Sequence, residues 1–80
     1  MARPINTIAR EIREDWSKKG KGVSPYASPY LDAMECLTTI NEMYYHDTAK
    51  SVVLYFLSNA SGWRGETAKR IKAELKGMAS

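Results

Sequence analysis

The residues best suited to chemistry lie in the run from Ser61 to Gly65, Ser-Gly-Trp-Arg-Gly, which leads into a lysine-rich segment. Free backbone N–H groups at a helix start, together with a nearby guanidinium, form a general anion-binding arrangement. The run lacks the Gly-Lys-Ser/Thr sequence of a phosphate-binding loop. Two interpretations therefore stay open. The run contacts an anion, or it is a turn between helices in which the glycines serve geometry and Trp63 packs in the core.

The remaining sequence does not indicate a catalytic or metal-binding group. His46 stands beside Asp47, but it has no second metal ligand at helical spacing and no nucleophile in the same turn. Cys36 is the only cysteine, and we expect a buried thiol in a reducing compartment. We therefore expect a protein that is not an enzyme, has no catalytic residues, and holds no cofactor and no metal.

Length and composition indicate one small globular domain. The chain has 80 residues, of which 44% are hydrophobic and 26% charged. Its longest apolar run, Val52 to Leu57, has six residues, against the ~18 needed to cross a bilayer. We expect a cytoplasmic protein with no membrane contact. Because so small a core supplies little stability, a homodimer is an open alternative to a monomer.

Apolar residues repeat with the period of an α-helix in four stretches. The first covers residues 5–16, and the second is predicted to run from Ser28 to about residues 43–45. The third, residues 47–60, is apolar on most sides, so we expect it at the centre of the domain. A strand over Val52 to Phe56 is the alternative, but no partner strand is indicated. The sequence predicts an all-α, compact four-helix single domain over residues 1–80.

Capping residues predict where the helices begin. Ser28 suits the start of the second helix, and Asp47 that of the third. Ser61 is the candidate cap of the fourth helix, which we expect to begin near Trp63. Gly62 is the expected left-handed residue at this junction.

The charges are distributed unevenly along the chain, whose net charge is +3. Residues 1–22 carry six Lys/Arg and three Asp/Glu, residues 23–60 carry one and four, and residues 61–80 carry five and two. The basic flanks either pair with the acidic middle or join into one cationic face for an anionic partner. Residues 17–27 contain Lys-Lys-Gly-Lys-Gly, which predicts a flexible linker, or alternatively a phosphate-contacting loop.

Two groups of side chains are candidates for partner binding. Lysines on the outer side of the fourth helix lie close to the exposed start of that helix, and tyrosines lie at predicted helix ends, where such rings often anchor protein partners. The candidate residues are Arg64, Gly65, Lys69, Lys72, Lys76, Tyr26, Tyr44 and Tyr45.

The third and fourth helices, separated by a turn with glycine, also match the outline of a DNA-binding helix-turn-helix. In that arrangement the lysines of the fourth helix would meet phosphates, and an arginine would meet a guanine edge. A helix-turn-helix-like regulator that binds nucleic acid is therefore the alternative to a protein-binding module.

Three segments together resemble a family of small uncharacterised helical proteins encoded by bacteriophages and prophages of Gram-positive bacteria. They are Leu57 to Leu75, LSNASGWRGETAKRIKAEL; Ile8 to Trp16, IAREIREDW; and Pro29 to Met34, PYLDAM. The resemblance implies a cytoplasmic protein made in an infected or lysogenic host cell. Such small products commonly bind a host factor, the replication apparatus or nucleic acid. We expect a non-catalytic phage accessory protein that binds a host or phage macromolecule.

Overall fold

A computed structural model describes residues 3–80, which form four α-helices and one short β-hairpin. In chain order the elements are α1 (Ile5–Trp16), α2 (Ser28–Met34), β1 (Met43–Tyr44), β2 (Asp47–Thr48), α3 (Ala49–Ser58) and α4 (Glu66–Ala79). The two strands pair antiparallel, with Met43 opposite Thr48 and Tyr44 opposite Asp47. The predicted all-α, four-helix domain is confirmed, and the hairpin is an element that the periodicity did not indicate.

The four helices close a ring in which each packs against two others. α1 contacts α2 and α4, and α3 contacts α2, α4 and both strands of the hairpin. Because α3 contacts more elements than any other helix, its predicted central position agrees with the structure, and the strand alternative over Val52 to Phe56 is wrong. One side of α3 nevertheless stays open, because Leu54 is 44% and Tyr55 52% exposed.

Three aromatic rings form the centre of the core. The indoles of Trp16 and Trp63 stack with centroids 5.8 Å apart, and the ring of Phe56 meets both edge-on at 6.3 and 6.4 Å. Trp63 is fully buried although it belongs to the loop between α3 and α4. These rings join that loop to α1 and α3, and they agree with the interpretation in which Trp63 packs in the core.

The end of α1 holds the loop between α3 and α4 through polar contacts as well. The Trp63 indole Nε1–H donates to Asp15 Oδ2 at 2.8 Å. Lys19 Nζ lies 2.9 Å from the same carboxylate oxygen and donates to the Arg64 carbonyl at 2.6 Å. A single carboxylate on α1 thus receives a buried indole donor and a lysine that also binds the loop backbone.

The second helix ends at Met34, about ten residues before the predicted end. The backbone N–H groups of Thr38 and Thr39 donate to the Glu42 side chain. The carbonyls of Leu37 and Thr38 accept the first N–H groups of α1, each at 2.9 Å. These partners replace the bonds that would continue the helix. Cys36 therefore lies in an exposed turn, and its predicted burial is wrong.

The predicted capping residues of α2 and α3 are wrong. Ser28 makes no capping bond. Instead, Ser24 accepts from the N–H of Tyr26 through its side chain and from the N–H of Ser28 through its carbonyl. Thr48, and not Asp47, caps α3 because its Oγ1 accepts from the Ser51 N–H at 3.0 Å.

The fourth helix starts later than predicted, at Glu66, and Ser61 does not cap it. The residue with a positive φ at this junction is Gly65, at 113°, and not Gly62. A side chain on Gly65 would also meet Lys19, since a Cβ there would lie 2.6 Å from Lys19 Nζ. Gly65 is therefore required for its backbone conformation, and a side chain there would also displace the flexible end of Lys19.

Trp63→Phe tests the contribution of the buried indole. The substitution removes the donor to Asp15 and leaves a partly filled cavity, so we expect the free energy of unfolding to fall by about 2–4 kcal/mol. Urea unfolding followed by far-UV circular dichroism measures the change. Trp16→Phe is the matched control because no hydrogen bond of its indole is present in the described residues. An equal loss in both variants would contradict a special role for the Trp63–Asp15 bond.

Acid should weaken the contact between Asp15 on α1 and the loop that joins α3 to α4. The hydrogen bonds from Lys19 and Trp63 hold the pKa of Asp15 below its ordinary value. Because the pKa of Asp15 is lower in the folded state, the ionised carboxylate stabilises the fold at any pH above its pKa in the unfolded chain, which is about 4. This stabilisation is lost as the pH falls through the pKa of Asp15 in the folded protein. We expect Asp15→Asn to be less stable than the wild type at neutral pH. The two unfolding free energies should converge in acid, and a constant difference across that range would contradict the assignment.

Candidate partner-binding surfaces

The hairpin between α2 and α3 presents two exposed large side chains, one of which is the most exposed large apolar residue among residues 3–80. Tyr45 is 83% and Met43 58% exposed. Tyr44 is half-buried beneath them, and its ring meets that of Tyr45 edge-on with centroids 4.7 Å apart. Desolvation, with smaller effects of Tyr45, Cys36 and Asp32, raises the pKa of the Tyr44 phenol. Tyr44 therefore supports the tip of the hairpin as a neutral ring, and Tyr45 points into solvent.

The backbone at Tyr45 is in a conformation that tyrosine rarely adopts. Tyr45 and His46 form the two-residue loop between β1 and β2, and the φ of Tyr45 is 56°. Two-residue hairpin loops require positive φ at their first position, where glycine, asparagine or aspartate is usual. A bulky residue in this region costs on the order of 1–2 kcal/mol. His46 is an exposed loop residue, as expected.

Tyr26 lies at the other end of α3 from the hairpin. It is 76% exposed and follows Pro25, which together with Trp16 and Gly62 lines a groove of about 330 Å³. The hairpin instead contacts α3 directly before that helix begins. The ten residues of α3 span about 15 Å. The three candidate tyrosines thus form two separate groups and not one surface.

Arg64, Gly65 and Lys69 lie together at the start of α4. With Trp63 and Lys72 they line an open depression of about 570 Å³. Arg64 and Lys69 are exposed, and their cationic groups pair with no carboxylate of residues 3–80. The fold thus places these three predicted candidates around the same depression. The depression also contains the carboxylate-bearing residue Glu66, so it is not purely cationic.

Lys72 differs from the other candidate lysines because its ammonium group is used within the fold. Nζ donates to the carbonyls of Ala60 and Trp63 at 2.8 and 2.7 Å and lies 5.9 Å from the centre of the Trp63 ring. Burial, followed by the charges of Lys76 and Arg64, lowers the pKa of Lys72. Lys72 thus satisfies the carbonyls after α3, and its prediction as a freely exposed binding residue needs correction. Lys76 stays exposed on α4.

Ion pairs connect the two basic flanks to each other and to the acidic middle. Arg3 binds Glu11 on α1 and Glu74 on α4, each at 2.7 Å, and Arg70 on α4 binds Glu11 at 2.6 Å. Arg13 binds Glu35 at 2.6 Å as well as Asp32. Pairing of a basic flank with the acidic middle is thus seen at Arg13, whereas the pairs of Arg3 and Arg70 lie within or between the two flanks. Hydrogen bonds from Arg3 lower the pKa of both Glu11 and Glu74.

The connection between α3 and α4 is longer than that of a helix-turn-helix. Residues 59–65 separate the two helices, whereas the motif uses a turn of about three to four residues. On α4, the cations of Arg70 and Lys72 already have partners within the chain. Lys69 and Lys76 are the α4 cations left to meet phosphates, judged on residues 3–80.

The structure adds exposed apolar residues that the sequence analysis did not select, namely Met43, Leu54 and Tyr55. Leu54 and Tyr55 fall in an apolar run that indicated a fully covered helix, and Met43 falls in the predicted extension of α2. The described residues contain no group of three His, Cys, Asp or Glu that could hold a metal ion. No helix among them has the length and apolar character needed to cross a bilayer.

Lys72→Met separates the structural lysine from the exposed ones. Methionine keeps an apolar stem beside Trp63 but removes the Lys72 donor from both carbonyls. The Ala60 carbonyl keeps the Trp63 backbone N–H, and the Trp63 carbonyl loses its side-chain donor. We expect the free energy of unfolding to fall by about 1–3 kcal/mol. Lys69→Met is the matched control on the same helix, with an expected change within about 0.5 kcal/mol. Denaturant unfolding measures both, and equal effects would show that the Lys72 bonds add no stability.

Comparisons with protein-family models, curated proteins and solved structures found no match to this chain. The resemblance to small phage and prophage proteins therefore stays a prediction, and the functional argument depends on the surfaces described above.

Proposed function

We propose that this chain is a non-catalytic accessory protein that binds a protein partner through a hairpin surface made of Met43, Tyr44 and Tyr45. Its origin in a phage or prophage, and its place in the cytoplasm of a bacterial host, rest on the sequence resemblance alone. The partner is a host or phage protein with an apolar cleft that accepts the ring of Tyr45.

The observation that carries this proposal is the exposed tyrosine at a backbone position that favours glycine or asparagine. The ring of Tyr45 adds one edge-on contact with Tyr44 to the fold, worth about 0.5–1.5 kcal/mol. This contact roughly offsets the cost of the positive φ at Tyr45 and adds no clear excess of stability. A tyrosine at this position is better explained by recognition, since exposed aromatic rings provide much of the binding energy at protein interfaces.

The surroundings of the hairpin surface favour a protein over a nucleic acid. Residues 23–60 contain one lysine and four acidic residues, so this half of the chain repels a phosphate backbone. Asp47, directly after the loop, is exposed and has no ion-pair partner within residues 3–80. We therefore expect a partner cleft whose rim carries basic residues.

The basic residues Arg64, Lys69 and Lys76 are the second part of the proposed binding surface. They lie in or directly before α4, are exposed, and form no ion pair within residues 3–80. We assign them a supporting role in which they attract acidic groups of the partner and raise the association rate. Their removal should change the salt dependence of binding more than its specificity.

Tyr45→Asn separates binding from folding. Asparagine tolerates positive φ, so we expect the free energy of unfolding to change by no more than about 1 kcal/mol. Loss of the ring should weaken partner binding by about 30-fold or more, the effect of an interface residue worth at least about 2 kcal/mol. Tyr45→Phe, which keeps the ring, is the matched control and should retain most of the binding.

The experiment has two stages. The tagged full chain captures partners from a Gram-positive bacterial lysate, and the captured protein is then purified and titrated against wild type, Tyr45→Asn and Tyr45→Phe. Equal affinity of the three proteins would contradict the proposal. Duplex DNA binding that weakens steeply with salt and disappears in Lys69→Glu/Lys76→Glu would instead support the nucleic-acid alternative.

A further inference from the structure

The open side of α3 is a second apolar surface, distinct from the hairpin surface. Ala49, Val52, Val53 and Phe56 face the core. On the opposite side, Leu54 and Tyr55 stand in solvent between Ser51 and Ser58. Large exposed apolar side chains on a regular helix often mark a protein interface.

From this face we infer that the chain forms a homodimer in which α3 packs antiparallel against α3 of a second copy. The exposed residues are arranged symmetrically about the bond between Leu54 and Tyr55. Two less exposed residues separate Ser51 from Leu54, and two less exposed residues separate Tyr55 from Ser58. A two-fold axis at this point makes the face complementary to itself, as a symmetric dimer requires.

This register brings compatible residues together. Leu54 lies opposite Tyr55 of the second copy, and Ser51 lies opposite Ser58 of the second copy, so small side chains flank the large ones. The hydroxyl of Ser58 already donates to the Leu54 carbonyl at 3.1 Å, and the Ser51 hydroxyl accepts from Thr48 at 2.9 Å. Each of these two hydroxyls therefore has a hydrogen-bond partner within its own chain before the face is covered.

Charge also favours a second copy as the occupant. Lys50 is the only charged residue of α3, and the antiparallel register places it opposite Asn59 of the second copy, whereas a parallel arrangement would oppose two lysines. Residues 23–60 hold one of the twelve Lys and Arg residues. The four acidic residues of this half, Asp32, Glu35, Glu42 and Asp47, all lie outside α3. Two copies that meet through α3 therefore place neither their acidic residues nor their cationic flanks on the contact helix.

The available area predicts a weak dimer. A standard interface takes about 800 Å² from each partner, and the whole domain exposes 5077 Å². The ring of Tyr30 on α2, 5.7 Å from that of Tyr55, extends the apolar face beyond α3. A contact limited to these residues corresponds to a dissociation constant on the order of 1–100 μM.

Sedimentation equilibrium of the full chain, at concentrations that bracket this range, tests the inference. Wild type should show a monomer–dimer equilibrium, and Leu54→Glu should be monomeric at every concentration. Thr7→Glu, which adds the same charge at an exposed position of α1, is the matched control and should dimerise like wild type. A monomeric wild type, or a dimer that Leu54→Glu leaves intact, would overturn the inference.

Cross-linking tests the orientation and does not depend on the folding of Leu54→Glu. Cys36 is first replaced with Cys36→Ser, and the variants Ser51→Cys and Ser58→Cys are oxidised separately and as a mixture. The mixture should form disulfide dimers faster than either variant alone. Faster cross-linking of each variant with itself would overturn the antiparallel arrangement. Tyr45→Asn should dimerise normally, so this inference and the proposed function can fail independently.

Discussion

The position of Trp63 is the constraint on which the arrangement of the helices depends. This residue belongs to a loop, yet its indole lies inside the core, stacked on Trp16 and bonded to Asp15. Burying the indole fixes the loop between α3 and α4 against the end of α1. Lys19 strengthens the junction by holding the Arg64 carbonyl. The run Ser-Gly-Trp-Arg-Gly thus has a structural role in joining α3 and α4 to α1. Its contact with an anion stays a prediction.

This junction also influences where charge is available on the surface. It brings α4 beside α1, where Arg3 and Arg70 meet Glu11 and Glu74. These pairs and the Lys72 bonds use two of the five cations of the C-terminal flank, Arg70 and Lys72, and Arg64, Lys69 and Lys76 stay exposed. The α2–α3 half has few cations and exposes apolar rings instead. In the α1–α4 half, several charged side chains form ion pairs with one another, whereas the α2–α3 half leaves apolar side chains exposed. This difference is the physical basis for assigning binding to the hairpin and to α3.

The sequence predicted those parts of the fold that depend on local periodicity. The periodic apolar residues of the predicted helix over residues 5–16 are buried in α1, namely Ile5, Ile8, Ala9, Ile12 and Trp16. The apolar residues that recur at helical spacing in α3 and α4 are mostly buried as well. The end of α2 was not predictable in this way, because it depends on bonds from Ile5 and Asn6 to the Leu37 and Thr38 carbonyls, more than thirty residues away. Long-range partners of this kind leave no periodic signal.

The candidate site was predicted less completely for the same reason. Arg64, Gly65 and Lys69 are close in sequence, and they lie together in the fold. The internal role of Lys72 depends on carbonyls of the preceding loop, which helical projection does not include. Tyr45 was selected as an exposed ring, but its positive φ arises from a hairpin that the apolar pattern concealed.

Hydrogen exchange of the two indole N–H protons, followed by NMR, tests the central role of Trp63 most directly. The Trp63 proton is buried and bonded to Asp15, so it should exchange only when the whole domain unfolds, at the rate of the slowest backbone amides. The Trp16 indole proton should exchange faster. Exchange of the Trp63 proton at the rate of an unfolded chain would show that the loop opens independently of the core and would contradict this account.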